Sequence, residues 1–411
     1  MEGNFYTDYL HYSSGNMCPQ RFHLWSATSI LAATAGRRFY FDHEYFRVFP
    51  MNFICLVGRQ GLRKSTGKDL AKDLFTETFP DYPLSPSTQS REDFVKRLAS
   101  DDFQRVFRDE NGASVEWRPV MCFVNELKNF LSVNPGLFID TLTDLYDRPF
   151  YDASTIKHGL QTIINPCINI LACETPRWII DKLKMNIISG GFSRRVLFIY
   201  VTDRPHRVTF PKIPVGGIEA RNRCKDHLLR VSNLAGKFSF APDAKLFFDH
   251  WYKNLSTPDD ELMEGYYENK DILVIKLAMC LCLADYNPKF VFTIEKLQIA
   301  IAMLEANETN LPKLTVAAGR SEVALPQQRV MEYLTNRGGL MPEKVLMKET
   351  SKEFRNPMEQ ISCLRAMYDN DSLVKQSLII PPDKIQRVWI LLPETWATWN
   401  RNGEVERKEK T

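Results

Sequence analysis

The residues best placed to do chemistry lie in the run Gly58-Arg59-Gln60-Gly61-Leu62-Arg63-Lys64-Ser65-Thr66. Backbone N–H groups converging in a glycine-bearing loop can hold an anion, the lysine can reach outer phosphates, and the first hydroxyl can ligate Mg²⁺. Gly58, Gly61, Lys64, Ser65 and Thr66 supply that set, so the ligand it asks for is ATP with Mg²⁺. Arg63 stands where such loops usually carry glycine; only its backbone must make the curve, at a higher conformational cost. The competing reading is a structural turn that happens to contain glycines.

Hydrolysis needs a second strand that ends in an acid, and residues 120–126 offer one, closing on Asn125-Glu126. Glu126 has the chemistry of a general base for the attacking water. Asn125 sits where an aspartate would join Ser65 around the metal, and its neutral amide predicts weaker Mg²⁺ binding. A surface carboxylate after a buried strand is the alternative. Residues 168–173 form a third apolar run, ending at Glu174-Thr175-Pro176. Thr175 could sense the γ-phosphate, because ligands of open α/β sheets bind beyond the carboxyl ends of strands. It could equally be a turn threonine before proline. Arg194 and Arg195 immediately precede the strand-like run 196–201, and an arginine there can stabilise the charge of phosphoryl transfer or simply end a helix at the surface.

The elements that must position these groups are read from pattern. Residues 53–57 read as a buried strand, 65–75 as a helix closing at Phe79-Pro80, and 82–88 as a short strand. Five strands alternating with helices predict a mostly parallel α/β core. Residues 151–164 alternate about Lys157-His158-Gly159 and read as a hairpin. Residues 272–283 are too continuously apolar for an exposed helix and read as a buried one, with Lys270 or Lys276 as candidates for a second nucleotide sensor. A lysine whose stem merely covers apolar surface is the commoner case.

These pieces come in the order of an AAA+ ATPase. Residues 20–27, Ala35-Gly36-Arg37-Arg38, the phosphate loop with arginine before its lysine, and residues 165–171 together resemble the P-loop ATPase domains of phage, plasmid and mobile-element replication helicases. The strand order and arginine pair are also similar to minichromosome-maintenance ATPase cores. The resemblance spans about residues 5–310 and departs at Arg63 and Asn125. It implies an oligomeric ring, a hexamer, with ATP between subunits and Arg194, or else Arg195, entering from the neighbour. In such motors the inserted hairpin points into the central channel, which makes Lys157 and His158 candidate contacts to single-stranded DNA; a plain solvated hairpin tip is the alternative. It also implies a primase or replication-initiation partner.

The expected domain organisation has an N-terminal helical segment over 1–47, a P-loop NTPase core over 48–211, a helical lid over 212–314, a linker over 315–325, a winged-helix domain over 326–396 and a charged tail over 397–411. The winged helix is read from three short helices with two strands after them, and Arg355, Arg365, Lys384 and Arg387 lie near its reading surface. It could dock protein as readily as DNA. A net charge of +3 over 411 residues does not by itself announce nucleic acid, so any DNA contact must be local. Nine cysteines without a CxxC pair read as reduced core residues rather than zinc ligands. No apolar run reaches membrane-spanning length and no cleavable leader pattern opens the chain, so the expected location is the cytoplasm, of a bacterial host if the chain is phage-encoded. The function expected is an ATP-dependent DNA helicase or translocase. The alternatives are an ATP-switched initiator or helicase loader, and a non-hydrolysing DNA-binding scaffold with a degenerate nucleotide site.

Overall fold

Two stretches with every residue buried, Phe53–Val57 and Pro166–Glu174, determine the centre of the molecule. Strands apolar on both faces must be covered on both, which is the condition for a parallel sheet flanked by helices. The computed structural model describes residues 3–155, 159–184, 191–202, 208–256, 265–308, 330–331, 333–334, 340–351, 354, 356–369, 373–380 and 384–391. It divides into two compact units, Met1–Ala317 and Ala318–Thr411.

The first unit opens with α1 (Phe5–Ser13), α2 (Gln20–Ala35), β1 (Phe39–Asp42), β2 (Arg47–Val48) and β3 (Phe53–Val57). A reciprocal capping box between Asn4 and Thr7 starts α1. Helix α2 is buried around most of its circumference, which its Ala, Ser and Thr content permits: Thr28 and Thr34 return their hydroxyl protons to the carbonyls of Leu24 and Ile30, at 2.9 and 2.8 Å. Next come α3 (Lys64–Thr78), α4 (Arg91–Ala99), β4 (Arg105–Arg108), β5 (Ser114–Val124), α5 (Leu127–Phe130), α6 (Pro135–Leu145), β6 (Phe150–Thr155), β7 (Gly159–Ile164), β8 (Pro166–Glu174), α7 (Pro176–Lys184) and β9 (Val196–Tyr200). The unit closes with α8 (Gly217–Ser232), β10 (Gly236–Phe240), α9 (Pro242–Lys253), α10 (Lys270–Leu283), β11 (Val291–Phe292) and α11 (Ile294–Glu308).

The central sheet has the order β4-β5-β8-β3-β9, with β5, β8, β3 and β9 parallel and β4 antiparallel at the edge. Val57 is level with Glu174 on one side and Tyr200 on the other, so these strands end together. Helices α2 and α3 pack on one another and on the sheet, and α6 packs against β8. The strand expected over 82–88 is not there. It shrinks to a bridge between Leu84 and Met121, because Pro83 and Pro86 have no N–H with which to continue a ladder. The antiparallel strand β4, which the sequence pattern does not announce, pairs with the first half of β5 instead.

A second sheet, β11-β10-β1-β2, joins distant parts of the sequence. It packs through an aromatic cluster in which Phe238 stacks on Phe292 at 5.0 Å and Phe39 meets Phe290 edge-on at 5.1 Å. Strands β6 and β7 form a hairpin in register from Phe150↔Ile164 to Thr155↔Gly159. Its tip, with Lys157 and His158, lies outside the described residues. Helix α10 is buried along nearly its whole length.

The second unit holds β12 (Leu340–Pro342), α12 (Glu343–Thr350), α13 (Pro357–Asp369), β13 (Leu373–Ile380) and β14 (Lys384–Leu391), with sheet order β12-β14-β13. Val330, Leu334, Leu346, Leu364, Met367 and Leu373 lie in its core. Arg365 is exposed on α13, and Arg355 lies outside the described residues. The chain is thus a mixed α/β protein, and among the described residues no helix is long and apolar enough to cross a membrane.

Candidate nucleotide-binding site

The carboxyl ends of β3, β8 and β5 lie side by side, and the segments leaving them form the site. After Val57 the chain turns through Gly58, whose N–H donates to the Glu174 carbonyl at 3.3 Å. A Cβ at Gly58 would come within 2.6 Å of the tip of the Leu62 side chain and 3.3 Å of the Val201 carbonyl oxygen, so a larger residue would make Leu62 shift. Gly61 takes φ 81°, and Arg63, directly before α3, takes φ 59° and ψ 29°. A non-glycine residue in that left-handed well costs about 1–2 kcal/mol. The conformation that glycine usually supplies is therefore present at Arg63 despite the side chain, which points outward and is exposed.

Helix α3 begins at Lys64, so the first N–H groups of Lys64, Ser65 and Thr66 head its free amino end, which favours an anion. Ser65 is exposed and Thr66 half-buried. The Lys64 ammonium folds back over the loop and donates to the carbonyls of Gly58 and Arg59 at 2.6 and 3.1 Å. Desolvation holds its pKa below the usual lysine value, while Cys173, Glu174, Cys55 and Glu126 pull the other way. A phosphate would offer it stronger, charged acceptors than two neutral carbonyls.

Glu126 and Asn125 stand exposed just past β5. The Glu126 carboxylate pairs with Lys128 at 3.0 Å and accepts from the Asn129 amide at 3.1 Å, so its oxygens face the open end of the sheet without being locked in the core. Asn125 itself brings a neutral amide, and among the described residues no group of three or more His, Cys, Asp or Glu side chains is arranged to hold a metal. Any Mg²⁺ here would rest chiefly on Ser65 and the phosphates themselves.

Glu174, less conspicuous in the sequence than its neighbour Thr175, is the buried acid of the site at 2 % exposure. One of its oxygens accepts from the Lys128 N–H at 2.9 Å and the other from the Thr175 N–H and hydroxyl at 2.7 and 3.2 Å. Thr175 therefore spends its hydroxyl proton on Glu174, in a half-buried position at the start of α7. The signal that could have found Glu174 is a carboxylate ending an otherwise unbroken buried run beside the loop strand.

Arg194 and Arg195 lie at the opposite end of the sheet. Val196 is level with Phe53, and the phosphate loop starts one strand length away, roughly 16 Å at 3.3 Å per residue. Neither arginine reaches the loop of its own chain. Arg194 is exposed, held by its carbonyl, which accepts from Asn269 at 3.0 Å. Arg195 is less free: its guanidinium donates to the Gly191 carbonyl and lies 5.5 Å from the Tyr146 ring.

The two lysines considered as second sensors are elsewhere. Lys276 is buried against Asp147 at 2.7 Å and donates to the carbonyls of Phe49 and Met51, which precede β3 rather than succeed it. Lys270 pairs with Glu308 at 2.8 Å. Both are structural ion pairs, buried with the helix that carries them. All nine cysteines are buried free thiols. No protein-family model matches the chain, and no curated protein matches it.

Proposed function

We propose that the chain is an AAA+-like P-loop ATPase that works on single-stranded DNA as an oligomeric replication motor. The observation that carries this reading is the gathering of Lys64, Glu126 and Glu174 at the carboxyl ends of three neighbouring parallel strands, with Arg194 exposed at the other end. Counting Leu84 as the stub of an edge strand, the order Leu84-β5-β8-β3-β9 places the loop strand between the sensor strand and the last strand, as P-loop ATPases of this type do.

In this reading the α3 amides and Lys64 hold the phosphates of ATP, Ser65 meets Mg²⁺, and Glu126 takes a proton from water as it attacks the γ-phosphorus. Glu174 fixes the Thr175 backbone and hydroxyl beside that water. Arg194 of one copy neutralises the charge developing in the next. The segment 212–314 serves as the lid over the base, and the second unit is a winged helix that guides the motor to DNA or to a protein partner. A slower, switch-like use of ATP, as in a helicase loader, is favoured by one feature: Lys64 already has two acceptors in its own loop.

The test is ATP hydrolysis with and without single-stranded DNA, for the native chain, Glu126→Gln and Arg194→Ala, with particle size monitored by light scattering. DNA-stimulated turnover lost in both variants, with assembly retained, is the expected result. ATP-dependent assembly without turnover would support the switch, and no nucleotide binding at all would refute both.

A further inference from the structure

At the end of the central sheet away from the phosphate loop a cavity of about 710 Å³ opens among the segments that lead into β3, β8 and β9. Five arginines line it, Arg37, Arg47, Arg148, Arg194 and Arg195, against one carboxylate, Asp147, which already belongs to Lys276. The surplus of positive charge is therefore not neutralised from within the lining.

The arginines divide by role. Arg37 is buried and rigid: it lies 4.3 Å from the Phe49 ring and donates to the carbonyls of Pro166 and Arg148. Arg148 and Arg194 are exposed and, among the described residues, have no ion-pair partner. Two non-glycine lining residues, Asp147 and Asn165, take φ 59° and 48°, a left-handed turn conformation that aspartate and asparagine tolerate well, and these turns shape the rim.

Beside the guanidinium groups the β1–β2 turn presents Tyr45, 96 % exposed, and Phe46, 53 % exposed, the latter stacked on His43. Arginines alone would suit any anion. Guanidinium groups next to solvent-facing rings suit an anion that carries planar groups, which is the chemistry of a nucleotide strand.

We propose that this cavity binds single-stranded nucleic acid, with a backbone phosphate against Arg148 and bases stacked on Tyr45 and Phe46. The site shares with the proposed function its nucleic-acid partner, but needs no ATP and no hydrolysis.

The experiment is fluorescence anisotropy of a labelled oligothymidylate with the full chain, free of nucleotide, over a series of salt concentrations. Arg148→Glu should weaken binding about tenfold or more and lower the salt dependence, by about 0.7 in log–log slope for each phosphate that is no longer neutralised. Tyr45→Ala combined with Phe46→Ala should weaken it about tenfold at unchanged slope, since stacking releases no counterions. Native-like affinity in both variants overturns the proposal. So does displacement of the probe by polyglutamate as readily as by unlabelled oligothymidylate, which would make the cavity a seat for acidic protein. Because nucleotide is absent throughout, a chain that hydrolyses no ATP can still meet this test.

Discussion

Glu174 at the end of β8 is joined to Lys128 in α5, and through it to Glu126: the Glu174 carboxylate accepts the Lys128 N–H at 2.9 Å, while the Lys128 ammonium holds Glu126 at 3.0 Å. The buried acid thus sets where the exposed acid stands. Glu174→Ala should leave the Lys128 and Thr175 N–H groups without their acceptor and cost about 1–3 kcal/mol in urea unfolding. ATP turnover should fall with it, and Glu174→Gln, which keeps one acceptor oxygen, should recover part of the stability. Full stability in the alanine variant would remove Glu174 from this role.

Arg63→Gly puts the achiral residue into the left-handed position that Arg63 now occupies at φ 59°. The variant should be more stable by about 0.5–1 kcal/mol, the relief of strain being partly offset by the greater freedom of glycine in the unfolded chain. Chemical denaturation measures this directly, and a loss of stability would show that the arginine side chain has a favourable contact in the loop.

Complementation in trans tests the separation of Arg194 from the loop of its own chain. Lys64→Ala and Arg194→Ala chains should each be inactive in ATP hydrolysis, yet a mixture of the two should regain part of the native rate. Some subunit junctions in the mixture would then join an intact loop to an intact arginine. A mixture as inactive as its components would place the two residues in separate functions.

His23 gives the chain an acid-sensitive point. Burial lowers its pKa from 6.5 to about 4. In the folded protein the ring therefore stays neutral down to a lower pH than in the unfolded chain, so its contribution is intact above pH 6.5 and is lost as pH falls towards 4. At about 1.4 kcal/mol per pH unit the loss reaches roughly 3 kcal/mol, and His227, also lowered by burial, adds in the same direction. Urea midpoints from pH 7 to 4.5 should fall less steeply for His23→Gln than for the native chain; parallel curves would contradict the assignment.

What could be seen in the sequence was what is local. The runs at 53–57, 120–124, 168–173 and 196–200 are strands in the structure, and the helix after the loop begins at Lys64. Residues whose meaning depends on distant neighbours were not legible. Glu174 is buried because the end of β5 and the start of α5 close over it. Lys276 looked like a free cation on an apolar helix until Asp147, far away in the chain, came to it. The pairing of β1 with β10 likewise has no local trace, since parallel strands so far apart share no turn signal. The two prolines at 83 and 86 are plain in the sequence, but their effect on a ladder depends on which edge of the strand faces β5.

Lys276 also ties α10 to the carbonyls of Phe49 and Met51, four and two residues before β3 begins. In mechanical language this is a rivet between α10 and the root of β3, reinforced by β1 lying in register with β10. A helix fastened there cannot swing as a loose flap. A pull on α10 would load the segment that leads into β3, and with it the strand that ends at the glycine loop.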